Sequence, residues 1–205
     1  MRLRLAAAVG SDLPLFLIGG TSLGVGRGEE VYPLPDLDSL AMVVVTPEVG
    51  VSTPRAFADW DALVAVGHHT TLTHSGSSDR LFEVGCVLSS WLTGSNNSYP
   101  NTGASAKGGS RPGNLLSELV RTGIENDFEK VVFSQYPELR DIKGALVRAG
   151  AGYASLSGSG STLYGLFRST AEAAKAVGRL RKLGLKAVAT RTLTRRQYWQ
   201  RSLVR

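Results

Sequence analysis

Tyr153-Ala154-Ser155-Leu156-Ser157-Gly158-Ser159-Gly160-Ser161-Thr162-Leu163-Tyr164-Gly165-Leu166-Phe167 is a pair of short apolar runs around a serine–glycine linker. The runs at 153–156 and 163–167 read as two strands, with the linker as the loop that joins them. Working upstream, Pro137-Glu138-Leu139-Arg140 opens a helix. Proline suits a first helical position, and Leu139, Ile142, Leu146 and Val147 recur at helical spacing until Gly150 and Gly152 end it. Asn126-Asp127-Phe128-Glu129 opens a shorter helix through Val132, and 115–120 is a further helical stretch. Downstream, Thr170-Ala171-Glu172 begins a helix reaching about Leu183, and 185–190 reads as a last strand. Far upstream, 40–45 (Leu-Ala-Met-Val-Val-Val) is continuously apolar and β-branched, the pattern of a fully buried strand. Ser52-Thr53-Pro54 then starts a helix that carries Ala56, Phe57 and Trp60. Helices paired with a few antiparallel strands make this an α+β sandwich.

The flanks are less regular. Residues 1–9 read as the closing turns of an amphipathic helix, and Phe16-Leu17-Ile18 as a short buried strand. The glycine-rich run from Gly19 to Glu30 reads as a twisted hairpin. Between 63 and 112 loop compositions dominate, so an irregular insert is expected there, with one short helix around 82–91.

Composition narrows the function. A chain of 205 residues, 42% hydrophobic and 20% charged, can bury a core as one domain or two small ones. The single Cys86 excludes an internal disulfide and points to a reducing compartment. No apolar run is long enough to span a membrane. Leu5-Ala6-Ala7-Ala8-Val9 is too short, and too poor in a cleavage site, for a signal peptide. The net charge of +6 gathers toward the tail in Lys186, Arg191, Arg195, Arg196, Arg201 and Arg205. That tail reads as a solvated basic terminus. The interleaved Tyr198 and Trp199 leave single-stranded nucleic acid as the other reading.

Two features carry chemistry. Asp12, in Gly10-Ser11-Asp12-Leu13-Pro14-Leu15-Phe16, is an acid between glycine and proline beside an apolar run. It is a candidate catalytic base, and the same pattern also suits an Asx turn. In the loop Gly158, Ser159, Gly160, Ser161 and Thr162, alternating glycines let backbone N–H groups converge, and the hydroxyls add donors. Such a loop can cradle a phosphate or serve as a plain turn. No Gly-Lys-Ser/Thr follows, so it is not a P-loop of the Walker type. Gly24-x-Gly26-x-Gly28 lacks the spacing and the helix of a dinucleotide fingerprint. His68, His69 and His74 have no Cys or acidic cluster beside them and read as solvated, so no metal site is expected.

The order of segments is more specific than any one of them. Gly-Ser-Asp-Leu-Pro-Leu-Phe-Leu comes first, then Gly-Gly-Thr-Ser-Leu-Gly-Val-Gly-Arg-Gly-Glu-Glu, then Val-Ser-Thr-Pro-Arg-Ala-Phe-Ala-Asp-Trp at 51–60. Glu-Asn-Asp-Phe-Glu at 125–129 and the loop at 156–167 follow. Over 1–60 and roughly 113–190 this resembles the small-molecule kinases of the galactokinase, homoserine kinase, mevalonate kinase and phosphomevalonate kinase superfamily. Within it, the likeness is to the 4-diphosphocytidyl-2-C-methyl-D-erythritol kinases of non-mevalonate isoprenoid biosynthesis. The resemblance implies ATP-dependent phosphorylation of the 2-hydroxyl of 4-diphosphocytidyl-2-C-methyl-D-erythritol, with Mg2+ as the accompanying ion.

By that resemblance Asp12 acts on the substrate hydroxyl, Thr53 and Phe57 lie on the substrate side, and Gly158 to Thr162 lie near the phosphates. The implied fold is the end of a ribosomal-S5-like α/β domain at 1–46, followed at 47–205 by a ferredoxin-like domain containing the insert. A cytoplasmic, membrane-free protein is implied, with a homodimer admitted and nucleic acid disfavoured. Such kinases also open with a strand bearing a lysine that pairs with the aspartate, and with a Pro-x-x-x-Gly-Leu-Gly-Gly-Gly-Ser-Ser loop. Neither occurs here, so the expectation is an N-terminally truncated form with negligible activity. Two other readings remain: a non-catalytic binding module that uses the basic tail, and a sibling kinase for another alcohol.

Overall fold

The computed structural model describes residues 1–67 and 126–202. Cys86, the three histidines, and the helices expected at 82–91 and 115–120 lie outside the described residues, as does most of the expected insert. The chain divides into two compact units. One comprises Met1–Ser39 with Thr192–Arg205, and the other Leu40–Arg191. The expected division after residue 46 is therefore displaced, because 41–45 supplies an inner strand of the second unit's sheet.

The second unit holds the hydrophobic core. Its four-stranded antiparallel sheet contains β3 (Ala41–Val45), β4 (Tyr153–Leu156), β5 (Leu163–Phe167) and β6 (Ala187–Arg191), in the order β4-β5-β3-β6. β3 lies between β5 and β6, with Val44 opposite both Tyr164 and Val188. Ala41, Val43 and Val45 are buried, whereas Met42 and Val44 are only partly covered. A continuous apolar run had implied burial on both faces. Alternation is what results, because the helices cover one face only.

Among the described residues of the unit the helices are α3 (Thr53–Gly67), α4 (Phe128–Gln135), α5 (Pro137–Arg148) and α6 (Thr170–Lys182). Residues 63–67, expected in the insert, continue α3. α5 packs on β4 and β5 through Leu139, Ile142, Ala145 and Leu146, an i, i+3, i+7 stripe. α6 packs on β3, β5 and β6 through Ala173, Ala176, Val177 and Leu180. Ser169 caps α6, accepting a 3.2 Å bond from Glu172 N, and Arg179, Arg181 and Lys182 occupy its negative end. Gly165 lets α5 approach the sheet closely. A Cβ there would stand 3.0 Å from Ala151 Cβ and 3.2 Å from Leu146 Cδ2.

The first unit comprises α1 (Arg2–Val9), α2 (Leu13–Ile18), the hairpin β1 (Ser22–Val25) and β2 (Glu30–Pro33), and α7 (Arg195–Ser202). A hairpin forms where one was expected, reaching on to Pro33, and 2–9 is helical as expected, although that helix buries no residue. Phe16-Leu17-Ile18, expected as a buried strand, is the end of α2, and Phe16 is 56% exposed. Pro14 in the first turn favours the helical start.

The tail is not merely solvated. Arg195 donates to Gly19 O at 3.1 Å, Thr21 O at 2.8 Å and Leu34 O at 3.2 Å. The Asp36 carboxylate accepts from Arg195 N at 2.7 Å and from Thr21 N at 3.0 Å. Tyr198 Oη and Trp199 Nε1 donate to Phe16 O and Ile18 O. Gly20 has φ +68 and lies against Asp36 and Arg195, so neither its conformation nor its surroundings admit a side chain. Among the described residues no helix is long and apolar enough to cross a membrane.

Candidate functional site

In the second unit, three segments far apart in sequence meet around the 158–162 loop. The loop is a tight excursion from the sheet: Ser157 N donates to Thr162 O at 2.8 Å and Gly160 N to Ser157 O at 3.0 Å. Gly158 has φ +58 and Gly160 φ +101. A Cβ on Gly160 would press on Leu156 Cδ1 at 3.2 Å and Val51 Cγ2 at 3.4 Å, so this backbone sits where only glycine fits.

Thr53 is the first residue of α3, and its Oγ1 shares a 2.8 Å hydrogen bond with Ser159 Oγ. One helical turn on, Phe57 is 52% exposed and meets Phe128 edge-on, centroids 4.8 Å apart at 78°. Phe57 is thus half-exposed, with its ring held on one side by Phe128. Gln135 Nε2 donates to Asp59 Oδ2 at 2.6 Å, and Lys130 Nζ lies 5.3 Å from the Trp60 ring centre, tying α3 to α4.

Residues 126–129 hold the loop from behind. Asn126 Nδ2 donates to Leu156 O at 2.9 Å and to Gly158 O at 2.7 Å, while Asn126 Oδ1 accepts from Phe128 N at 3.1 Å. Glu129 Oε1 accepts from Ser155 Oγ at 3.0 Å and Leu156 N at 2.9 Å, and its Oε2 pairs with Lys143. In the sequence both stand out as the start of a helix and within the Glu-Asn-Asp-Phe-Glu segment at 125–129, with no role of their own. Burial first, and then Tyr153 and the Glu129 carboxylate, push the Tyr164 hydroxyl from 10.0 up to about 12.

Asp12 lies in the other unit. It stands at the N-cap of α2, exposed, with no side-chain bond to the helix. The hairpin tip passes beside it, since a Cβ on Gly28 would lie 3.9 Å from Asp12 Oδ1. The residues named from sequence thus fall into two groups. Thr53, Phe57 and the loop are brought together, and Asp12 is placed with Gly28. Among the described residues no group of three His, Cys, Asp or Glu side chains could hold a metal ion.

Residues 110–186 match the family described as GHMP kinases C terminal. Curated proteins named 4-diphosphocytidyl-2-C-methyl-D-erythritol kinase are similar along most of the chain. That of Solibacter usitatus is 39% identical over 160 residues, 78% of this chain and 41% of the relative. Those of Oleidesulfovibrio alaskensis and Moorella thermoacetica are 36% and 33% identical, covering 85% and 93% of this chain and 55% and 56% of the relatives. The chain spans about half the length of the curated relatives it matches. A solved 4-(cytidine 5'-diphospho)-2C-methyl-D-erythritol kinase superposes with a TM-score of 0.57 at 25% identity, over 93% of this chain and 56% of that one. Homoserine kinase from Cytophaga hutchinsonii shares the fold, with a TM-score of 0.57 at 19% identity over 89% of this chain and 50% of that one. The chain is thus similar over most of its length to proteins named 4-diphosphocytidyl-2-C-methyl-D-erythritol kinase, and its residues 110–186 match the C-terminal domain of the GHMP kinases.

Proposed function

We propose that this chain serves the ATP-dependent phosphorylation of the 2-hydroxyl of 4-diphosphocytidyl-2-C-methyl-D-erythritol, in the cytoplasm, as a step of non-mevalonate isoprenoid synthesis. The observation that carries the proposal is the junction of Thr53 and Ser159 at 2.8 Å, beside the half-open ring of Phe57. That contact supports the reading of a substrate-side segment resting on a glycine-rich loop. The strand order β4-β5-β3-β6 supports a ferredoxin-like second unit, and the hairpin with its helices supports a first unit derived from an S5-like domain.

In this reading the 158–162 backbone and the hydroxyls of Ser159, Ser161 and Thr162 hold phosphate oxygens. The loop suits that group because a Cβ built on Gly158 would meet nothing within 4 Å, so the backbone there is open to a ligand. ATP supplies the phosphoryl group. Thr53 and Phe57 orient the substrate, and Asp12 accepts the proton of the 2-hydroxyl as its oxygen bonds to the γ-phosphorus and ADP departs with the bridging oxygen. Positioning and charge neutralisation supply most of the rate in such transfers. Mg2+ belongs with the nucleotide phosphates. The described residues offer it no cage of their own, and no step is assigned to it.

Calorimetric titration of the 205-residue chain with 4-diphosphocytidyl-2-C-methyl-D-erythritol tests the substrate assignment. Binding weakened by Phe57→Ala and Thr53→Val is expected, and no binding to the wild-type chain overturns it. In a form with measurable turnover, Asp12→Asn is expected to lower kcat by about 10²–10⁴-fold. A rate that survives the substitution removes Asp12 from the chemistry.

A further inference from the structure

We propose that Asn126, backed by Glu129, is a positioning residue that pre-forms the 158–162 loop before any ligand arrives. The inference rests on the reading of that loop as the phosphate-side loop.

The Asn126 carboxamide is used at both ends. Its oxygen accepts from Phe128 N and closes the start of α4, which fixes the orientation of the group. Both bonds made by its nitrogen then go to the loop, to Leu156 O where the chain leaves β4 and to Gly158 O inside the turn. Gly158 has φ +58, a conformation that glycine reaches without cost and also leaves without cost. Something outside the loop must therefore hold that peptide in place, and the carboxamide does so. Two residues before the turn, Glu129 Oε1 holds Leu156 N and Ser155 Oγ, and Lys143 holds the other carboxylate oxygen. The carbonyl of Leu156 is thus fixed by Asn126 and its N–H by Glu129. On the opposite side Ser159 is tied to Thr53. A phosphate-binding backbone held in this way avoids the ordering cost that a loose loop bears on binding.

The arrangement provides a sharp test. Asn126→Asp keeps an oxygen for the Phe128 N–H and so keeps the helix cap. It removes both donors to the loop and sets a carboxylate against two carbonyls. A residue that only caps α4 would tolerate the change. Amide hydrogen exchange on the full chain is expected to accelerate by about tenfold at Gly158 to Thr162. Exchange in α4 and β3 should stay unchanged. Exchange at the loop that matches wild type overturns the proposal, as does acceleration spread evenly over the domain. Should Asn126→Asp fail to fold, Asn126→Ser and Glu129→Gln are read in the same way. Titration with ATP separates the two readings. If wild type binds and Asn126→Asp binds about tenfold more weakly, both stand. If the wild type does not bind ATP, the phosphate reading fails, while the exchange data still decide the positioning role.

Discussion

Glu129 shows how much one side chain carries. Its carboxylate faces an ammonium, a hydroxyl and a backbone N–H at a largely covered position between α4, α5 and β4. Glu129→Ala removes the acceptor of Lys143 and of Leu156 N and leaves Ser155 Oγ only its longer 3.3 Å bond to Leu156 O, and a loss on the order of 2–3 kcal/mol is expected in denaturant melts. Glu129→Gln keeps one carbonyl oxygen and should lose less. Tyr164 gives a pH signature. Its hydroxyl titrates at about 12 in the fold against 10.0 for the free group. Between those values the unfolded chain has released a proton that the folded chain retains, so stability should fall as pH rises from about 10 to about 12. The contribution is complete below 10.0. Tyr164→Phe should flatten that limb of the stability–pH curve, and an unchanged limb would contradict the burial-driven shift.

Elements followed local rules wherever the local signal was strong. Pro137, the Leu139-to-Leu146 stripe and the paired runs around the loop fixed α5, β4 and β5 because periodicity and caps act within a few residues. Thr170-Ala171-Glu172 marked the start of α6 for the same reason, and the structure adds Ser169 as its cap. Ser169→Ala should cost about 1 kcal/mol of thermal stability, measured as a lowered melting temperature. Gly165→Val should cost about 1–3 kcal/mol by overpacking α5 against the sheet, although valine is otherwise favoured in strands. Phe16-Leu17-Ile18 was misleading because a short apolar run suits a strand or a helix equally. Pro14 and the exposed setting decided for the helix.

At the scale of the whole molecule, the two units are held together internally by different forces. Every residue of the hydrophobic core cluster falls between Ala41 and Ala187, inside the second unit. The first unit leaves Leu13, Leu15 and Phe16 at least 40% exposed and is organised around Arg195. Arg195→Lys cannot reproduce the forked contact with three carbonyls. It should accelerate amide exchange in α2, the hairpin and α7 while leaving the β3–β6 sheet unchanged. Equal exchange in wild type and variant would show that the fork is dispensable. The same contacts redefine the basic tail. Arg195, Tyr198 and Trp199 are engaged with the backbone of their own unit, so the charge pattern of the tail has a structural use inside the fold.

The sequence by itself determined α3 to α6, β3 to β6, the glycine-rich loop and the kinase resemblance, because each is written in spacings of a few residues or in the order of short motifs. It did not reveal which groups would meet. Thr53 and Ser159 are 106 residues apart, and Arg195 and Thr21 are 174 apart. The carboxamide of Asn126 finds its carbonyls only once α4 lies against β4. Those pairings depend on packing across the chain. Buried and half-buried polar groups take whatever partner the fold brings within about 3 Å.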